Sequence, residues 1–186
     1  MPNWCMNKVT ISSKNGDGEE LLQRIKNEVS EDYSEEVKGE TVTGTLEFSF
    51  NSIIPMPEEI RNTNSPNNIV ATQEEADAYN EEHKNDDFHR HAQTQQQVDD
   101  LYAKYGVANW YDWANQHWGT KWNVNEPELE DDGYELTYHF DTAWSPPVPI
   151  YEALAEKYPD AHISWFYDEP GMEFSGYLNT DKQYGR

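Results

Sequence analysis

The segment that decides the fold is GYELTYHFDTAWSPPVPIYEALAEKYPDAHISWFYDEPG, from Gly133 to Gly171. Its first part alternates polar and apolar residues, which favours a half-buried β-strand. The prolines of SPP end that strand, and PVPIYEALAEKYP then predicts a helix with one apolar stripe. A closing hairpin is predicted by HISWFYDEPG and MEFSGYLNT, with its turn around Glu169–Gly171. A strand, a helix and a hairpin in this order are typical of an α+β protein.

The same patterns occur nearer the N-terminus. WCMNKVTISS predicts a strand over residues 3–12, and GEELLQRIKNEV predicts an amphipathic helix. A second strand is expected in TVTGTLEFSFNSII, where Leu46, Phe48 and Phe50 alternate with polar residues. A hairpin is expected from TKWNVNEPEL and GYELTYHFDTAW, joined by EDDG. The predicted order is β-α-β, helical insertion, β-β-α-β-β, which gives an antiparallel sheet with helices on one face.

The middle of the chain has a different composition. Residues 58–106 are polar, compatible with helices, and contain few apolar positions. We expect one α+β domain over residues 1–186, in which 58–119 form a largely helical insertion between the N-terminal and C-terminal strand groups. The acidic segment SEDYSEEVKGE, residues 30–40, is expected to be a loop.

Composition and charge restrict the function. Asp and Glu total 36 against 13 Lys and Arg, and the net charge of −23 is spread as −4 over 1–40, −9 over 41–120 and −10 over 121–186. Aromatic residues make up 13% of the chain, which favours a folded protein because disordered chains are poor in them. Nucleic acid and anionic membranes are unfavourable partners for such a charge, whereas a basic protein is a favourable one.

Other features of the sequence indicate a cytoplasmic protein. Cys5 is the one cysteine of the chain, so an intramolecular disulfide is ruled out and a reducing compartment is favoured. The N-terminus lacks the basic start and apolar run of a signal peptide. An apolar run of the roughly 20 residues that span a bilayer does not occur in the sequence.

Four of the seven tryptophans fall within NWYDWANQHWGTKW, residues 109–122. NWYDWANQHWG predicts a short helix ended by its glycine. Trp110, Ala114 and His117 follow helical spacing, and we expect Trp113 to lie opposite part of that stripe. Two or three of the four rings are therefore expected to be anchored against the sheet, and one to be partly exposed.

Five segments of the chain resemble, in order, motifs of a known protein family. They are MPNWCMNKVTISS, FNSIIPMPEE, YDWANQHWGTKWN, FDTAWSPPVPIYEALAEKYP and YDEPGMEFSGY. The family is that of the ferredoxin-like YubB-like and Api-type proteins of phages and conjugative plasmids, whose function is unknown. The resemblance covers most of the chain except about 14–42 and 61–106. It implies a ferredoxin-like fold and an origin in a mobile element, and it supplies no catalytic residues.

Candidate metal and catalytic residues are weakly supported by their spacing. His83, His89 and His91 occur in HKNDDFHRH, but the last two lie on different faces of a helix, so we expect neither a metal site nor a cofactor. Cys5 lies in an alternating strand, where a buried thiol is commoner than a nucleophile. Motifs of nucleophile elbows, phosphate loops and dinucleotide sites do not occur in the sequence.

The charge therefore carries the functional hypothesis. We expect a non-enzymatic acidic protein of a phage or mobile element, located in the host cytoplasm. It would bind and inhibit a basic host defence protein, such as a nuclease or another nucleic-acid-binding complex, by presenting carboxylates in place of DNA phosphates. The candidate binding residues are Glu74, Glu75, Asp77, Glu81, Glu82, Asp86, Asp87, Trp113, Trp118, Trp144, Asp168 and Glu169.

Two alternatives remain open at this point. The chain could be a small-ligand or protein-binding module with no inhibitory role, in which the charge serves solubility. It could also be a hydrolase that uses Asp141, Asp168 and Glu169 as paired carboxylates, because these residues lie beside aromatic residues that can raise a carboxyl pKa.

Overall fold

The computed structural model describes residues 3–16, 18–37, 40–84 and 91–179. The strands are β1 Trp4–Ser13, β2 Glu31–Val37, β3 Glu40–Leu46, β4 Asn68–Val70, β5 Ala92–Thr94, β6 Asn125–Asp131, β7 Glu135–Ala143, β8 Ala161–Glu169 and β9 Phe174–Leu178. The helices are α1 Glu19–Val29, α2 Phe50–Ile53, α3 Glu58–Arg61, α4 Gln73–Glu82, α5 Gln95–Tyr105, α6 Trp110–His117 and α7 Val148–Lys157. The chain divides into two compact units, Met1–Pro55 with Trp118–Arg186, and Met56–His117.

The first unit is built on a five-stranded sheet of order β6-β7-β1-β8-β9. Every neighbouring pair is antiparallel, with β1 at the centre between β7 and β8. The chain order β1-α1-β6-β7-α7-β8 on this strand order is the split βαβ arrangement of ferredoxin-like folds, and β9 adds an edge strand. The predicted α+β class and the antiparallel sheet are confirmed.

The two faces of this sheet differ in burial. On β1, Cys5, Val9 and Ile11 are buried, while the alternate side chains from Trp4 to Thr10 are exposed or half-buried. The buried face receives α1 and α7; the ring of Tyr151 in α7, for example, lies 6.1 Å from that of Trp165 in β8. The opposite face is the open face of the sheet.

Phe48 occupies the centre of the aromatic core. It is fully buried, and its ring centroid lies 5.0 Å from those of Tyr138 and Phe140, 6.1 Å from that of Trp165 and 6.2 Å from that of Phe50. Aromatic pairs at these separations add to the free energy of burial. One side chain from the segment after β3 therefore joins the packing of β7 and β8.

The expected strand over TVTGTLEFSFNSII is wrong in its second half. The strand ends at Leu46, and Phe50 begins the short helix α2. Ser49 causes the change, because its side chain accepts a hydrogen bond from the backbone N–H of Asn51 and caps that helix. Phe48 and Phe50 are both buried, so their alternation came from core packing and was mistaken for a strand period.

The expected loop over residues 30–40 is also wrong. Residues 31–37 form β2, which pairs with β3 in a separate two-stranded sheet. Tyr33 lies opposite Gly44, and a Cβ at Gly44 would come within 2.6 Å of the Tyr33 hydroxyl oxygen. The glycine thus lets the tyrosine ring cover the partner strand, a cross-strand contact that an acidic sequence does not indicate.

A buried polar network ties the central strand to its neighbours. The side-chain amide of Asn7 donates to the carbonyl oxygen of Cys5 and to Thr142 Oγ1, each at 2.9 Å. Asn7 Oδ1 accepts a hydrogen bond from the indole N–H of Trp165 at 3.0 Å. Because Asn7 is only 3% exposed, these bonds satisfy groups that water does not reach.

We expect Asn7→Leu to lower the free energy of unfolding by about 2–3 kcal/mol, because it leaves buried polar partners unsatisfied. Chemical denaturation followed by Trp fluorescence measures the change. Asn27→Leu is the matched control, since Asn27 lies exposed on α1 of the same unit and its replacement should stay within about 0.5 kcal/mol. Equal losses for the two variants would contradict the assigned role of the network.

The second unit contains α3, α4, α5, α6 and a short parallel pair of strands. β4 and β5 pair over three residues each, and the sequence did not predict them because such short strands carry no recognisable period. Thr94 begins α5 with a capping box in which Gln97 is the reciprocal partner. The bounds of this unit, Met56–His117, nearly coincide with those of the insertion expected over 58–119. That both units form one domain stays a prediction.

Among the described residues, no helix has the length and apolar character needed to cross a membrane.

Candidate binding surfaces

Helix α4 presents carboxylates on one side and packs on the other. Thr72 is the N-cap residue of the helix, because its side chain accepts a hydrogen bond from the backbone N–H of Glu75. Ala76 is fully buried and marks the packed side. At 100° per residue, the acidic positions of the helix span an arc of about 160° on the opposite side. The exposed members of this acidic face are Glu74, Glu75, Asp77, Glu81 and Glu82.

The acidic face accounts for five of the seven acidic residues that the sequence nominated in this region. The other two, Asp86 and Asp87, lie outside the described residues. Within the face, Asp77 accepts from Gln73 Nε2 at 2.8 Å and Glu81 pairs with Lys84. These contacts orient the carboxylates of Asp77 and Glu81 while leaving both exposed to solvent.

Basic side chains are held against carboxylates of the chain itself. Besides the pair of Glu81 with Lys84, ion pairs join Lys26 to Asp131 at 2.8 Å, Lys104 to Glu59 at 2.7 Å, Lys157 to Glu28 at 2.7 Å and Arg24 to Glu28 at 4.0 Å. Hydrogen bonds from Lys157 and then Tyr158 lower the pKa of Glu28. Each of these cations lies against a carboxylate of the same chain. They therefore do not form a basic surface that would offset the negative potential of the remaining carboxylates.

Two of the nominated tryptophans are buried. Trp118 is 6% exposed, donates from its indole N–H to the carbonyl oxygen of Ile54 at 2.9 Å and packs against Phe50. Trp113 is 4% exposed and stacks on His117 with a centroid separation of 4.4 Å, and burial lowers the pKa of that histidine. Neither ring is available to a partner in this conformation.

The expected position of Trp113 on its helix is wrong. Trp110, Trp113, Ala114 and His117 are spaced i, i+3, i+4 and i+7, so they lie on one side of α6. All four are buried or half-buried, whereas Trp122 is 40% exposed. Trp113 belongs to the second unit, Met56–His117, whereas Trp118 packs against Phe50 in the first unit.

Exposed apolar side chains gather at one end of the five-stranded sheet, where β1 begins and β7 and β8 end. Their exposed fractions run from 36% for Trp4 to 59% for Met172. The rings of Trp4 and Trp122 lie 6.2 Å apart. We call this group the aromatic end; its members are Trp4, Met6, Trp122, Trp144 and Met172.

The sequence nominated only Trp144 from the aromatic end. The backbone N–H of Trp144 donates to the carbonyl oxygen of Asn3 at 2.9 Å, just before β1. Its φ of 74° is an uncommon backbone conformation for a bulky residue. The signal for Trp4 and Met6 was present in the alternation of β1, which assigns even positions to the open face.

Asp141 and Asp168 lie beside the aromatic end on the open face. Both are register partners of Met6, one on each neighbouring strand. Since paired strands lie about 5 Å apart, the two Cα atoms are separated by roughly 10 Å, with Met6 between them. Burial, and then the charge of Glu126, raise the pKa of Asp141.

Glu169 is placed differently from these two aspartates. It is fully buried, and its carboxylate accepts from the backbone N–H groups of Gly171 and Met172. It therefore holds the turn between β8 and β9 and does not face a ligand on the open face. Of the three carboxylates proposed for a hydrolase, Asp141 and Asp168 therefore share the open face, and Glu169 does not join them.

The thiol of Cys5 is buried in the central strand of the sheet. Burial raises the pKa of the Cys5 thiol to about 12, which keeps it protonated at neutral pH. In the part of the chain that the structure describes, no group of three His, Cys, Asp or Glu side chains is close enough to hold a metal ion. His89 lies outside the described residues.

We expect native Cys5 to react with a thiol reagent at pH 8 at least about 100-fold more slowly than in 6 M urea, because unfolding removes its burial. The colour released by a disulfide reagent measures both rates. Comparable rates in the native and unfolded protein would contradict this prediction. They would show that the Cys5 thiolate is accessible and would favour a role for Cys5 as a nucleophile.

The topology and these surfaces define an acidic α+β protein with a ferredoxin-like sheet. Residues 117–184 match the family model described as "Ferredoxin-like domain in Api92-like protein". This segment contains β6, β7, α7, β8 and β9, whereas the central strand β1 comes from the N-terminal part of the chain.

A search of solved structures gave one similar chain, the crystal structure of a protein api92 from Yersinia pseudotuberculosis. It has 14% sequence identity and a TM-score of 0.48, over 95% of this chain and 93% of that chain. The search of curated proteins found no match.

Proposed function

We propose that this chain is a non-enzymatic acidic protein that binds a basic, nucleic-acid-binding protein and inhibits it by occupying its nucleic-acid surface. The observation that carries the proposal is the acidic face of α4, where Glu74, Glu75, Asp77, Glu81 and Glu82 are exposed together on the side opposite the buried Ala76. With a net charge of −23, the chain attracts cationic surfaces over its whole extent.

The spacing on this helix supports charge mimicry of DNA. Glu74, Asp77 and Glu81 follow one stripe, with rises of about 4.5 and 6 Å along the helix axis. Phosphates of one DNA strand are separated by about 3.4 Å along the duplex axis, so the two spacings are of the same order. A groove that binds phosphates with Lys and Arg would therefore meet several of these carboxylates at once.

The proposed setting is a phage or another mobile element, with action in the host cytoplasm on a defence nuclease or a related complex. The resemblance of five sequence motifs to proteins of phages and conjugative plasmids supports this setting, and residues 117–184 match an Api92-like domain. A basic defence protein is the partner whose inhibition would benefit such an element, and its cationic surface matches the charge of this chain.

The test is a pull-down from host lysate at about 50 mM and about 500 mM salt, read by mass spectrometry. We expect a basic nucleic-acid-binding protein at low salt, lost at high salt because Debye screening weakens exposed charge pairs. Partners that are insensitive to salt would instead favour a protein-binding module without charge mimicry. Recovery of no partner at either salt concentration would contradict the proposal.

A further inference from the structure

The aromatic end is an exposed apolar surface that the fold does not use. Trp4, Met6, Trp122, Trp144 and Met172 are 36–59% exposed, although each would be stabilised by burial. Single exposed apolar residues are ordinary, but several at one place mark a contact surface. Trp4 and Trp122 contact each other, so at least these two rings form a continuous patch.

Close contacts join the segments that carry the patch. Trp144 is tied to Asn3 through its backbone N–H, and a Cβ at Gly171 would come within 2.5 Å of Asn3 Nδ2, so the β8–β9 turn lies directly against the start of β1. Buried Glu169 fixes that turn. A preorganised aromatic surface binds with little loss of conformational entropy.

Charge selects the kind of partner. Asp141 and Asp168 flank Met6 on the open face, so a cation placed over Met6 would face a carboxylate on either side. Lys121 Nζ lies 3.6 Å from the centroid of the Trp122 ring, so this ring already makes a cation–π contact within the chain, and an incoming cation would stack on its other face or displace Lys121. Aromatic rings beside carboxylates match a cationic side chain better than a neutral apolar one.

We propose that the aromatic end, framed by Asp141 and Asp168, binds an arginine side chain in an exposed segment of a basic protein. Arginine is preferred to lysine because its planar guanidinium stacks on indole rings and forms bidentate hydrogen bonds with carboxylates. The inference rests on the proposed function, since it supplies a second contact for the same basic partner.

The probe is the peptide acetyl-GRGRGRG-amide, compared with its lysine and citrulline analogues. Titration of the ¹⁵N-labelled protein is followed through the seven indole N–H signals, which are assigned by Trp→Phe substitutions. We expect the signals of Trp4, Trp122 and Trp144 to shift with the arginine peptide, less with the lysine peptide and not with the citrulline peptide. The signals of Trp118 and Trp165 should stay fixed because their indoles donate to groups inside the fold.

Variants test which surface carries the binding. We expect Trp122→Ala and Trp4→Ala each to weaken arginine-peptide binding about 2- to 5-fold, the usual size of an exposed cation–π contact. Asp168→Asn should weaken it by a similar factor. The matched control is Tyr134→Ala, because Tyr134 is 83% exposed in the β6–β7 turn at the opposite end of the sheet. The melting temperature of each variant shows whether it is still folded. Trp4→Phe keeps an aromatic ring at this position and is compared with Trp4→Ala to separate loss of binding from loss of folding.

Two results would overturn the inference: equal affinity of Trp122→Ala and Tyr134→Ala, or equal binding of the arginine and citrulline peptides. Failure of the proposed function looks different. If the peptide binds at the aromatic end but the protein captures no salt-sensitive basic partner, the inference stands and the inhibitor proposal fails. If such a partner binds Trp4→Ala and Trp122→Ala as tightly as the parent, the inhibitor proposal stands and this inference fails.

Discussion

Phe48→Ala is expected to lower the free energy of unfolding by about 3–5 kcal/mol, the range for removing a buried phenylalanine from a close-packed core. The ring is fully buried and contacts Phe50, Tyr138, Phe140 and Trp165. Its removal leaves a cavity between β7, β8 and the segment before α2. Urea denaturation followed by Trp fluorescence gives the change in the free energy of unfolding, provided that the slope of this free energy against urea concentration is the same in both proteins.

Phe166→Ala is the control for this prediction. Phe166 lies on β8 next to Trp165 but faces the open side, half-buried against Tyr177 at 5.2 Å. We expect its replacement to lower the free energy of unfolding by about 1–2 kcal/mol, because a half-buried ring removes less apolar area from water than the buried ring of Phe48 does. A smaller loss for Phe48→Ala than for Phe166→Ala would contradict the assignment of Phe48 to the centre of the core.

Reversing three charges on the acidic face of α4 is expected to weaken binding of the captured basic partner by at least about tenfold at low salt. The variant is Glu74→Lys, Asp77→Lys and Glu81→Lys, which changes one stripe of the helix and leaves the packed side intact. Glu75 is retained, because its carboxylate accepts from the backbone N–H of Ala71. Affinity is measured by isothermal titration calorimetry at several salt concentrations.

The matched control has the same net charge. Glu20→Lys, Glu152→Lys and Glu156→Lys reverse three exposed carboxylates on α1 and α7, away from α4 in the sequence and in the other unit. If charge acts only through the overall field, both triple variants lose affinity equally. A loss confined to the α4 variant assigns the contact to that helix.

The sequence predicted those parts of the sheet unit in which apolar residues recur with a regular strand or helix period. The alternation of β7 and the apolar stripe of α7 identified two consecutive elements, since strand and helix have different periods, and the prolines marked the break between them. The strand β2 was missed because its residues are mostly acidic, and its stability comes from pairing with β3 and from Tyr33 over Gly44. Such long-range contacts leave no trace in a local period.

The surfaces were predictable in part. Residue type and helical spacing alone identified the acidic face of α4, because the exposed side of a helix follows from its sequence. The aromatic end was not identified, because Trp4, Trp122 and Trp144 are distant in the chain and come to the same end of the sheet only when β1 enters it between β7 and β8. Trp113 and Trp118 were nominated for binding yet are buried, since composition does not separate core tryptophans from exposed ones.

Competition by DNA is the measurement that tests charge mimicry most directly. The purified complex with the captured basic partner is titrated with duplex DNA that the partner binds, and release of this protein is followed by fluorescence anisotropy. The account predicts mutually exclusive binding, with the apparent dissociation constant rising in proportion to the DNA concentration. A stable ternary complex of this protein, its partner and DNA would contradict it.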